Sequence, residues 1–134
     1  MEDQAAREEL LQDAVAAVDV AATILQICRR DTRFRFGAYQ WLLGEGLAYI
    51  MQVHLRLTEQ TRRHMSGREI VEGLRALARE QFGTLARDVW QYWGIRSTRH
   101  WGEVVYNLID AGLLQKNDDD SIDDFNNIYD VSAI

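Results

Sequence analysis

Between Ser66 and Val131 the chain carries three short stretches of helical apolar spacing, punctuated by Gly83, Gly94 and Gly112. An acidic segment tipped with aromatic residues follows the last of them. A glycine just past the last apolar position of such a pattern is a stop signal, because it takes up the left-handed backbone that ends a helix without steric cost. Three short helices followed by a two-stranded return is the order of a winged-helix module. The chain has no proline, so only glycines and capping residues interrupt its helices.

Within this block Ser66-Gly67-Arg68-Glu69 has the form of a capping box, in which the Ser66 hydroxyl accepts from the amide of Glu69 and the Glu69 carboxylate reaches back to the amide of Ser66. Ile70, Val71, Leu74, Leu77 and Ala78 give the first helix its apolar face. Thr84 is placed to cap a second helix with Leu85, Val89, Trp90 and Trp93 inward. Ser97 or Thr98 opens a third, with Trp101, Val104, Val105, Leu108 and Ile109 in register. Leu113 to Lys116 is expected as a strand, Asn117 to Asp120 as a turn and Phe125 to Val131 as the return strand, although Asn and Asp are poor strand formers.

Upstream, Leu11, Ala14, Val15, Val18, Ala22, Leu25 and Cys28 form a helical stripe, so a long helix is expected over residues 3–29. A charged break follows, where Asp31 or Thr32 is available as a cap. A second helix is expected from about Phe36 to Leu57, with Tyr39, Leu42, Leu43, Gly46, Leu47, Ile50, Met51 and His54 along one side. Gly46 on that stripe would admit a neighbouring helix closely. With 134 residues and 47 % apolar residues the chain can bury one core. The expected architecture is therefore a mainly α single domain over residues 1–134. Two longer N-terminal helices (residues 1–60) pack on a three-helix winged-helix-like unit (residues 61–134) with a small C-terminal β-hairpin.

The N-terminus lacks the basic and short apolar regions of a signal peptide. Ala14 to Cys28 is the most apolar run, is interrupted by Asp19, and is read as too short and amphipathic to span a bilayer. The single cysteine, Cys28, excludes an intrachain disulfide and fits a cytoplasmic chain. Its apolar neighbourhood favours a buried thiol over a reactive one, with Arg29 and Arg30 the cations that would activate it.

Charge is segregated. Residues 1–28 carry a net −5, residues 29–100 a net +6 and residues 101–134 a net −7, within a total of −6. Fourteen of the fifteen basic residues are Arg, the side chain suited to bidentate contacts with carboxylates or phosphates. The plainer reading is that the acidic ends fold back on the Arg-rich middle. The sharper one is an anionic partner. A nucleic-acid reading would use Arg62 and Arg63 with Arg96, Arg99 and His100 at the start of the third helix of the module. The acidic wing, Asp118 to Asp120 with Asp123 and Asp124, would oppose phosphates.

His64, Ser66 and Glu69 are close in sequence, yet capping accounts for Ser66 and Glu69, and nothing marks an oxyanion site or an oriented base. Asp119, Ser121, Asp123 and Asp130 fall at spacings of a calcium loop, but Asp124 stands where the loop needs Gly, so a solvated acidic turn is preferred. His54, His64 and His100 lie on separate elements and make no zinc pattern. Neither a catalytic residue nor a metal or other cofactor is therefore assigned. Trp41 and Tyr92 lie off the best apolar stripes and are expected as exposed anchors for a protein partner.

Several stretches occur together in a characteristic order: Asp31-Thr32-Arg33-Phe34 with Ala38-Tyr39, Arg63-His64-Met65-Ser66-Gly67-Arg68-Glu69, Glu72-Gly73-Leu74-Arg75, Gln81-Phe82-Gly83, Trp93-Gly94-Ile95 and Gly102-Glu103-Val104-Val105-Tyr106-Asn107-Leu108. Ala111-Gly112-Leu113-Leu114, Asp120-Ser121, Asp123-Asp124-Phe125 and Tyr129-Asp130 complete it. In these residues the chain resembles an uncharacterised bacterial family of hypothetical proteins from planctomycetes and verrucomicrobia. It departs at Thr32 and Thr84, where that pattern has proline, and in its longer first helix. The resemblance implies no activity. The function expected is a non-catalytic cytoplasmic protein-binding or adaptor module. The alternative is a nucleic-acid-binding regulator using the Arg-rich middle, and an enzyme comes third. Candidate interaction residues are Trp41, Arg62, Arg63, His64, Tyr92, Arg96, Arg99 and His100, and the first helix is a possible route to homo-oligomers.

Overall fold

The computed structural model describes residues 2–57 and 65–134, with side chains over residues 3–53 and 65–134. Arg62, Arg63 and His64, and the side chain of His54, lie outside the described residues. Among the described residues the regular structure is all helical, in the order α1 (Glu2–Arg30), α2 (Phe36–Trp41), a π-helical turn (Leu42–Gly46), α3 (Leu47–Leu57), α4 (Gly67–Phe82), α5 (Ala86–Tyr92) and α6 (Thr98–Asp110). Short 3-10 turns lie at Gly83–Leu85, Ile122–Phe125 and Val131–Ala133.

The local signals act where their chemistry requires. Ser66 and Glu69 close both bonds of the capping box on α4. The Ser97 hydroxyl accepts from the amide of His100 at the start of α6. Thr84 does not cap α5, whose N-cap position is Leu85 with no side-chain cap, and Leu85 is exposed. Asp31 does not cap α2 either. Its carboxylate turns onto Arg33, accepting from the backbone amide at 3.2 Å and the guanidinium at 2.8 and 2.9 Å.

The second helix is not uniformly α-helical. The five-residue π-turn at Leu42–Gly46 shifts the phase between α2 and α3. Trp41, off the stripe at α-helical spacing, is thereby 6 % exposed, while Met51, on that stripe, is exposed. Gly46 packs under Leu74 of α4, whose Cδ2 lies 2.7 Å from where a Cβ would stand. The core is built around Trp41, Trp90 and Trp101, with Trp93 and Phe82 at its edge.

The expected hairpin is absent: among the described residues there is no strand, so the winged-helix-like reading is corrected to a helical unit with an irregular C-terminal tail. The reason lies in the spacing of the anchors. Phe125 and Val131 are buried and Ile128 half-buried, at intervals of three, which alternating strand faces cannot bring to one side. The polar side chains of the tail also compete for their own backbone. Ser121 accepts from the amide of Asp123, Asp124 accepts from that of Ser121, and Asp130 accepts from that of Ser132. The Phe125 ring lies against Gly67 of α4 and Gly102 of α6, where any side chain would collide with it. Buried Thr98 donates to the Phe125 carbonyl at 2.6 Å and accepts from the amide of Ile128 at 3.2 Å. Tyr129 donates to the Val71 carbonyl at 2.6 Å.

Candidate interaction surface

Among the described residues, several arginines of the middle are engaged by the chain itself. Arg33 joins Asp31 to Glu103, at 2.8 and 2.6 Å. Arg99 reaches Asp123 at 2.9 Å, Asn126 at 2.8 Å and Glu103 at 3.7 Å. The Arg75 guanidinium stacks 4.3 Å over Tyr129, and Arg87 donates to the Ser132 carbonyl. The acidic C-terminal segment thus folds onto the basic middle.

Of the residues a helix-turn-helix reading would use, Arg99 is spent in this way. His100 is half-buried against Phe34, its Nδ1 accepts from the amide of Arg96, and burial pushes its pKa down, so it favours the neutral ring. The Arg96 side chain is exposed. Tyr92 is 65 % exposed and carries the Arg35 guanidinium 4.2 Å over its ring. Trp41 is no surface anchor. Its indole donates to Gln81 at 2.7 Å, Gln81 donates in turn to Glu45, and its ring contacts four aromatic neighbours.

Two of the three carboxylates at calcium-loop spacings are committed elsewhere, Asp123 to Arg99 and Asp130 to Ser132. No group of three or more possible metal ligands occurs among the described residues. The Cys28 thiol is half-buried, and burial with the nearby Asp31 carboxylate raises its pKa, the opposite of thiolate activation. Beneath α6 lies an apolar cavity of about 100 Å³ whose walls include Ile70, Ile109 and Leu114. Tyr106 lines it, with a buried hydroxyl that has no hydrogen-bond partner.

Asp31 joins these elements. Its carboxylate also accepts from Asn107 at 3.0 Å, and the same Asn107 amide donates to the buried Tyr39 hydroxyl at 3.1 Å. The Arg33 bonds, followed by that from Asn107, hold the Asp31 pKa well below the usual carboxylate range despite partial burial. A depressed folded-state pKa contributes stability above the unfolded value and loses it as pH falls. Stability is therefore expected to be level above about pH 5 and to drop below about pH 4. Asp31→Asn should cost about 1–2 kcal/mol at neutral pH, discounted for the half-exposed Arg33, and flatten the acid limb. Urea titrations between pH 2 and 7 measure both. An acid limb unchanged in the variant would exclude Asp31 as its source.

Family models, characterised proteins and solved structures offer no match to this chain. The resemblance drawn from the sequence thus rests on the quoted stretches alone, and the surface must be read from its own chemistry.

Among the described residues, exposed large apolar side chains gather on α1. Residues 3–19 are exposed on every face, whereas Ile24 and Ile27 are buried against the body with Val20 beside them. The stripe singled out from the sequence is the outer one. Leu11 is 66 % exposed, Val15 59 %, Val18 66 % and Leu25 50 %. At 100° per residue, Val20, Ile24 and Ile27 point to the opposite side. So α1 carries two apolar faces: one docks over its last third, and the other meets solvent. Where α1 leaves the body, a crevice of about 430 Å³ separates Ala17 and Val20 from Phe36 and Leu43. By length and mean hydropathy alone α1 as a whole, unlike the Ala14–Cys28 run taken by itself, is long and apolar enough to cross a bilayer: over Asp3–Arg30 an 18-residue window reaches mean hydropathy 1.5, with 11 % of it buried.

Proposed function

We propose that the chain is a non-catalytic cytoplasmic protein-binding module of adaptor type, and that the outer face of α1 is its docking element. The observation that carries this reading is a line of Leu and Val side chains exposed along a helix that docks on the body only over its last third, and there by its opposite face. Such a face is suited to lie against another apolar helix or groove. Pairing of Arg33, Arg75 and Arg99 within the chain weighs against a phosphate-binding role for the Arg-rich middle. Asp13 and Asp19, both exposed on α1 and on different sides of it, weigh against a bilayer.

Photo-crosslinking in cells from p-benzoyl-phenylalanine at Val15 of the full chain tests the reading. Discrete protein adducts are expected, and they should vanish when Leu11 and Val18 are also changed to Asp. Adducts with nucleic acid or lipid alone, or protein adducts indifferent to Leu11 and Val18, would overturn it.

A further inference from the structure

We infer that the occupant of the outer α1 face is a second copy of this chain, lying antiparallel. The inference rests on the reading of α1 as the docking element and names its partner. Leu11, Val15, Val18, Ala22 and Leu25 follow one another at spacings of four, three, four and three, the repeat with which two helices bury a common seam. This seam is nearly symmetric about Val18: reversing the helix sets Leu11 beside Leu25 and Val15 beside Ala22. Ala14 and Ala21 on its flank leave room for close approach of the backbones.

Charge selects the orientation. The first turns of α1 hold Glu2, Asp3, Glu8 and Glu9 against the single cation Arg7, while its last turn ends in exposed Arg29 and Arg30. An antiparallel pair sets the first turns, net −3 over residues 2–9, beside Arg29 and Arg30 of the other copy and opposes the helix dipoles, with Arg7 the one like charge set opposite Arg29 in this register. A parallel pair would stack acid on acid and Arg on Arg. The bodies sit on the far side of each helix, behind Ile24 and Ile27, and leave the seam clear. Residues 3–19 gain no support from the described body, and an isolated helix of that length is marginal in water. Pairing supplies the missing apolar contact.

The test uses the purified full chain. Sedimentation equilibrium is expected to give twice the 15.5 kDa chain mass. Leu11→Asp with Val18→Asp should weaken association roughly a hundredfold or more, since both copies would bury unpaired carboxylates, and the helical body should remain folded. Orientation is read in a Cys28→Ser background by mixing chains carrying Leu11→Cys with chains carrying Leu25→Cys under mild oxidation. Disulfides between the two kinds of chain support the antiparallel pair. Disulfides only between like chains overturn it.

A monomer at all concentrations, or a chain that instead partitions into neutral lipid vesicles, overturns the second copy as occupant. A monomer that still gives protein adducts from Val15 in cells would leave the docking reading standing while this one falls. A monomer without such adducts would remove both.

Discussion

Trp101→Ala is expected to cost about 3–5 kcal/mol, the range for removing a buried Trp, and so a large share of the stability of a domain this size. Trp101 is fully buried on α6. Its ring lies edge-on to Trp90 at 5.3 Å, tilted against Trp41 at 5.7 Å and edge-on to Trp93 at 6.5 Å. One side chain therefore joins the π-turn region, α5 and α6, and its loss leaves a hole that three separate elements would have to close. Trp101→Phe should be far milder. The Trp101 indole N–H is buried without a partner, so replacing it removes an unpaired donor along with part of the ring. Urea unfolding followed by circular dichroism compares the two. A loss below about 1 kcal/mol in the alanine variant would show that the ring cluster does not organise the core.

The second large effect is at Gly94, between α5 and α6. Its φ is +94°, and a Cβ there would stand 2.1 Å from the Arg33 carbonyl oxygen. Nearby, Arg35 donates its amide to the Trp93 carbonyl at 3.0 Å. Two backbone segments about sixty residues apart in sequence thus meet with no room for a side chain. Gly94→Ala combines left-handed strain with a clash that only backbone movement relieves, so a loss of about 3 kcal/mol or more is expected. Gly112→Ala is the control. Its φ is +81°, but nothing lies within 4 Å of the added carbon, so only the strain, about 1 kcal/mol, should appear. Equal losses at the two positions would show that the approach to Arg33 carries no energy of its own.

Comparing residues shows where local reasoning succeeds. Ser66 with Glu69, Ser97, and the stops at Gly94 and Gly112 are local devices, acting on backbone within a few residues, and the sequence shows them directly. Ile70, Val71, Leu74, Trp101, Val104 and Leu108 are core positions because helical spacing already aligns them. Trp41 was misplaced because the π-turn that rotates it inward has no periodic signature in Leu42 to Gly46. The tail reads as a hairpin when Phe125, Ile128, Tyr129 and Val131 are taken as the apolar residues of one strand, and the three-residue interval of the anchors Phe125, Ile128 and Val131 is what that reading leaves out. On α1 the periodicity announces the helix but not which of its sides docks. Both sides of the helix are apolar, and only contact with α2 and α6 decides which side is inner.

The sequence by itself determined the mainly helical character, the start of α4 and α6, the glycine stops and most of the core of the C-terminal helices, since each depends on residues within one or two turns. Only the tertiary structure decided the burial of Trp41, the packed tail, the outward face of α1 and the pairing of Arg33 with Glu103. The last of these joins residues 70 apart. Contacts over such separations depend on how whole elements pack, and neither partner's own neighbours announce the other.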